Sequence, residues 1–107
     1  MTAEKTREPK DRFTRQLSAA QRASREGDYA GARASLEALE KRIAAEGTSH
    51  DKAELWRQLT FIYVAFELND ETCAAYSRLR KSAPDMSFDP QVVSPKIRRA
   101  VSACTTS

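Results

Sequence analysis

Glycine is scarce in this 107-residue chain, with 3 residues, and so is histidine, with 1. Few glycines leave few places where the backbone can turn through positive φ, which disfavours a tight-turned β fold and favours helices. A single histidine, His50, and two distant cysteines exclude a zinc site, which needs paired ligands at short spacing. No apolar run approaches the roughly 20 residues that span a bilayer. The first 15 residues are polar and charged and lack the apolar stretch of a signal peptide. The chain as it stands is therefore expected in the cytoplasm, and in the cell envelope if an export signal once preceded it. Also lacking are a glycine-rich phosphate loop and a Ser/His/Asp set. His50 falls in the polar stretch Thr48-Ser49-His50-Asp51, which reads as a turn, and no base that could activate Cys73 can be named. We expect neither catalysis nor a cofactor.

What is present is charge and helical periodicity. The chain carries 18 basic and 15 acidic residues, a net charge of +3, with 40% hydrophobic residues. That excess is mild for a protein that tracks phosphates, although Lys5, Arg7, Lys10, Arg12, Arg15, Arg22 and Arg25 crowd the N-terminal part. One domain with a modest core is the expectation for this length.

Residues 1–10 lack apolar periodicity, include Pro9, and read as a flexible arm. A first helix is expected over 11–25, with Phe13, Leu17, Ala20 and Ser24 on one stripe and Gly27 as its stop. Asp28 is placed to cap a second helix whose stripe is Tyr29, Ala32, Leu36, Leu39 and Ile43. Residues 47–50 read as a turn, and Thr48 with Asp51 has the form of a capping box. A third helix carries Leu55, Leu59, Ile62 and Phe66, widened by Trp56, Phe61, Tyr63 and Val64 beyond a single face. Such a helix packs against several neighbours or offers one side to a partner. Asn69-Asp70 reads as its end and as the cap of a fourth helix bearing Cys73, Tyr76, Leu79 and Ala83, which Pro84 closes. A connector over 85–93 has Phe88 as its expected anchor. Ser94-Pro95 then starts a short closing helix, 94–104, with Ile97, Ala100, Val101 and Cys104, before a tail of 105–107. Cys73 and Cys104 both lie on apolar stripes, which favours buried thiols; a disulfide tying the last helix back requires export.

Leu59, Tyr63, Tyr76 and Pro84 fall 3, 7, 20 and 28 residues after Trp56. This stretch resembles the tetratricopeptide repeat, a helix–turn–helix unit of about 34 residues. The match covers 53–86, with Thr60 and Thr72 where the family has small residues. A looser match covers 13–46 through Ala20, the phrase Gly27-Asp28-Tyr29, Ala32 and Leu36. The two matches start 40 residues apart (53 − 13), so an extension over 46–51 is expected between them. The tail, Phe88-Asp89-Pro90 and then Ser94-Pro95-Lys96-Ile97-Arg98, resembles a segment that follows helical repeats in some bacterial envelope-associated proteins.

The resemblance implies an all-α fold: antiparallel hairpins, about 11–46 and 51–84, stacked as a short solenoid with a closing helix. It implies an adaptor or scaffold that holds a helix or an extended segment of another protein. Carried over by position, the groove would present Leu17, Gln21 and Ser24, then Arg57, Phe61 and Val64, with Lys96 and Arg99 added by the closing helix. The family's carboxylate-binding lysine and asparagine are replaced by Leu17 and Gln21, so the occupant expected is an amphipathic segment with acidic flanks. Two other readings of Phe61 and Val64 stand beside it: cover by the first or closing helix, and self-association of an assembly subunit of a bacterial envelope or secretion system. A further reading, nucleic-acid binding, rests on the basic first helix and on Lys96-Ile97-Arg98-Arg99.

Overall fold

A computed structural model describes residues 9–83 and 95–105, and these form five helices with no strand among them. They are α1 (Pro9–Arg25), α2 (Tyr29–Glu46), α3 (Ser49–Ala65), α4 (Asn69–Ser82) and α5 (Pro95–Thr105). The all-α class holds. The arm over 1–8, Pro84, the connector with Phe88, Ser94 and the last two residues lie outside the described residues.

α1 begins two residues before the expected start, at Pro9 rather than Asp11. Proline suits the first helical turn, where a missing N–H breaks no hydrogen bond. The helix ends in a Schellman turn: Asp28 N–H donates to Ala23 O at 2.8 Å and Gly27 N–H to Ser24 O at 3.0 Å. Gly27 adopts φ +89°, a conformation L side chains resist. Asp28 then caps α2, its carboxylate accepting from Gly31 N–H at 2.9 Å.

The expected extension between hairpins is absorbed into helix. α2 runs to Glu46 and α3 starts at Ser49, leaving only Gly47 and Thr48 between them. Gly47 is required by space: a Cβ there would stand 2.7 Å from both Cγ2 and O of Ile43. The capping box forms, with Asp51 N–H donating to Thr48 Oγ1 at 3.1 Å and Thr48 N–H to Asp51 Oδ2 at 3.0 Å.

The α3–α4 turn differs from expectation. Asn69-Asp70 neither ends α3 nor caps α4. α3 ends at Ala65, Glu67 takes φ +59°, and Leu68 stands at the N-cap of α4 without a side-chain cap bond. Leu68 N–H donates to Tyr63 O and Glu67 N–H to Val64 O, both at 2.9 Å, so this too is a Schellman turn.

α3 is the central element and packs against each of the other four helices. Its buried residues, among them Leu55, Trp56, Leu59, Ile62 and Tyr63, cover nearly its whole circumference. With Phe13, Leu17, Ala20, Leu36, Leu39, Ile43 and Leu79 they form one apolar core. Each such large apolar side chain contributes up to about 1.5–3 kcal/mol by leaving water. Arginines cover its aromatic members from outside: Arg78 lies over Trp56 at 5.0 Å and Arg42 over Phe13 at 5.6 Å.

Three stripe assignments change. Tyr29 is exposed rather than buried, because it opens α2 beyond the reach of α3. Phe66 is exposed as the C-cap of α3, with Arg33 over its ring at 5.5 Å. α4 buries Thr72, Ala75 and Leu79, a face turned by one residue from the expected one, leaving Cys73, Tyr76 and Ala83 half-buried. That turn of the face brings Cys73 to Cys104 of α5, and the two form a disulfide with a Cα separation of 5.3 Å. The expectation of buried thiols is therefore corrected.

Candidate functional site

Where α1 ends and α5 begins, the outer side of α3 is not fully covered. Phe61, Val64 and Ala65 follow one another at helical spacing there, and Arg57 stands one turn earlier. Gln21, Ser24 and Arg25 of α1 form one bank, Tyr29 of α2 closes one end, and Lys96 and Ile97 of α5 form the other bank. They enclose a cleft of about 620 Å³. Its floor is Phe61, Ile62, Val64 and Ala65. Three cations line it, Arg25, Arg57 and Lys96, and no acidic side chain is among its lining residues.

The cleft's width is set from below by Gln58. Its side-chain nitrogen donates to Leu17 O of α1 at 3.0 Å and to Glu54 Oε2 at 2.8 Å. Two acceptors fix the amide orientation, so Gln58 pins α1 against α3 at one height. Its Oε1 is buried without a hydrogen-bond partner. Arg57 holds Glu54 in a fork, Nε to Oε1 at 3.0 Å and Nη2 to Oε2 at 2.6 Å. Burial pushes the Glu54 carboxyl upward, but the hydrogen bonds from Arg57 and Gln58 and the charge of Arg57 outweigh it and hold it below the usual carboxylate range. Lys96 reaches Glu67 at 3.5 Å in an exposed pair, which restrains it little.

On the other side of α2 and α3 lies a second polar contact. Tyr63 Oη donates to Glu37 Oε2 at 2.7 Å, and Arg33 pairs with Glu37 at 3.1 Å while lying over the Tyr63 ring. The Tyr63 hydrogen bond, with Arg33, lowers the Glu37 carboxyl; burial first and Glu37 second raise the Tyr63 phenol well above its usual range. This cluster fastens α2 to α3 and is not part of the cleft.

Of the eight residues named from sequence, six line the cleft: Gln21, Ser24, Arg57, Phe61, Val64 and Lys96. Leu17 does not. It is 3% exposed and packs in the core, because α1 turns that face toward α3. Arg99 is exposed on α5 and lies outside the cleft lining. Val64 is buried beneath Ile97, and Phe61 is half-buried beside them, so the closing helix covers part of the strip. The other lining residues, Arg25, Tyr29, Gln58, Ile62, Ala65 and Ile97, are not among the eight. Tyr29 carries a sequence signal of its own: at the first position of a helix, a stripe residue has no preceding turn to hold it over the core.

A smaller hollow of about 150 Å³, beside His50, Asp51 and Glu54, lies near the start of α3. No group of three or more metal-ligating side chains that could hold an ion occurs among the described residues. No helix among them is long and apolar enough to cross a membrane. Compared with family models, with curated proteins and with solved structures, the chain matches none.

Proposed function

We propose that this domain is a non-catalytic adaptor of the tetratricopeptide kind, whose cleft holds one amphipathic segment of another protein. The observation that carries the reading is the cleft's composition: an apolar floor around Phe61 and three cations, with no acid among the lining residues. Of the cations, Arg57 is held by Glu54 and Lys96 reaches Glu67. Apolar burial supplies affinity in such a groove, and the cations select and steer a segment with acidic flanks. α1 and α3 begin and end 40 residues apart, and the turns after them make matching hydrogen bonds, which supports a repeat architecture.

Tyr29 offers the cleanest test. It is 44% exposed, so Tyr29→Glu changes the cleft without opening the core. A displayed library of amphipathic peptides, selected on the wild type, is expected to enrich apolar residues at helical spacing flanked by Asp or Glu. Enriched peptides should bind Tyr29→Glu at least about tenfold more weakly, and all binding should weaken with salt. Peptides that bind Tyr29→Glu and Phe61→Glu as well as the wild type would sink the proposal.

A further inference from the structure

Beyond the exposed Lys96–Glu67 pair, which restrains it little, α5 is attached to the rest of the molecule in two unequal ways. Its apolar contacts are few: Ile97 rests on Val64, with Phe61 and Ala100 alongside, in a cluster separate from the main core. Val101 adds one more buried side chain. Its covalent tie is the Cys73–Cys104 bond to α4, between residues 31 apart in the chain. A helix of 11 residues does not sustain itself in water, because nucleation is unfavourable and short helices melt. Two or three buried side chains are a small counterweight to that loss of order. The disulfide supplies the rest, by removing most of the freedom α5 would gain on leaving.

The same helix furnishes Lys96 and Ile97, one bank of the cleft. We propose that the Cys73–Cys104 bond is a redox clasp on the cleft. Closed, it keeps α5 in place as a wall over Val64. Opened by a dithiol, it frees α5 and bares Phe61 and Val64. Both cysteines are half-buried, so each keeps some contact with solvent. The chemistry is thiol–disulfide exchange. A thiolate of the dithiol attacks one sulfur of the bond and expels the other cysteine as a thiolate, which takes a proton. The second thiol of the reductant then displaces the first cysteine from the mixed disulfide. Two electrons and two protons pass to Cys73 and Cys104, and the dithiol leaves as its own disulfide. The clasp would be closed in an oxidising compartment and open in a reducing one.

The inference needs no partner, so it stands or falls independently of the adaptor reading. Hydrogen exchange by mass spectrometry on the full chain tests it, before and after dithiothreitol, with Cys104→Ser as the permanent open form. Reduction and the variant are each expected to speed exchange of the α5 amides about tenfold or more. Protection of α1, α2 and α3 and the emission of buried Trp56 should stay as they were. Unchanged α5 exchange would show that packing alone holds the helix and would overturn the clasp. Equal loss of protection throughout α1–α4 would overturn it too, since the bond would then hold the whole fold rather than the wall.

Discussion

Gly27 and Glu67, Asp28 and Leu68, Ala32 and Thr72 stand at matching places in the two hairpins, each pair 40 residues apart (67 − 27, 68 − 28, 72 − 32). α1 and α3 share this offset at both ends, Pro9–Arg25 against Ser49–Ala65. The turns that follow make the same two hydrogen bonds. The backbone plan is thus repeated while the chemistry is not. The first hairpin uses glycine for the left-handed residue and an aspartate to cap the next helix. The second places Glu67 and Leu68 there and relies on packing. Among the described residues every buried polar side chain, Asp51, Gln58, Thr60 and Thr72, belongs to the second. A hairpin packed on several sides can carry a strained turn and buried polar groups; one packed on a single side depends more on its local turn chemistry.

The sharpest break of that comparison is a cavity placed in each hairpin. Leu59 is fully buried in α3 and Leu17 is 3% exposed in α1. Leu59→Ala is expected to cost about 3–5 kcal/mol and Leu17→Ala about 2–3 kcal/mol, since α1 has more open surroundings that can relax into the gap. Urea unfolding followed by Trp56 fluorescence measures both. Equal losses would mean that the two hairpins share one core of uniform rigidity, and the contrast drawn above would fail.

Much of this plan is legible in the residues and some of it is not. Gly27, Asp28, Thr48 and Asp51 announce their turns because each acts through backbone groups within a few residues. The buried face of α2 follows from Ala32, Leu36, Leu39 and Ile43 for the same local reason. The face of α4 does not, because Thr72 and Cys73 are near equals in size and only the position of α3 decides which turns inward. Between buried thiols and the disulfide the residues do not decide: a spacing of 31 residues says nothing until α5 is docked. As for the cleft, six of the eight positions carried over from the repeat resemblance line it. Leu17, placed in the groove by the resemblance, serves the core instead. Cover of Val64 by the closing helix stands among the readings, and only the docking of α5 decides it.

A second test exchanges the turn chemistry. A Cβ at Gly27 meets nothing within 4 Å, so Gly27→Ala is resisted by backbone conformation alone. It should cost about 1–2 kcal/mol. Glu67→Gly should do the reverse, relieving a left-handed residue and raising stability by about 0.5 kcal/mol after the added freedom of the unfolded chain is counted. Its loss of the exposed Lys96 contact adds little. Thermal melts of the two variants check the pair, and a stabilising Gly27→Ala would show that the first turn does not need its glycine.

The smallest effect concerns Thr72, whose hydroxyl is buried without a hydrogen-bond partner where the first hairpin has Ala32. A buried hydroxyl that leaves water unpaired costs about 1–3 kcal/mol by mutational data. Thr72→Val keeps the shape and the branched Cβ, so packing against α3 and the helix propensity change little. The variant is expected to gain up to about 1 kcal/mol, read as a shift of the urea midpoint at constant slope. Thr72→Ala should gain less or nothing, because it removes a methyl from a filled position as well as the hydroxyl. If Thr72→Val instead destabilises, the hydroxyl is satisfied, for example by a buried water, and the second hairpin tolerates no orphaned group at that position.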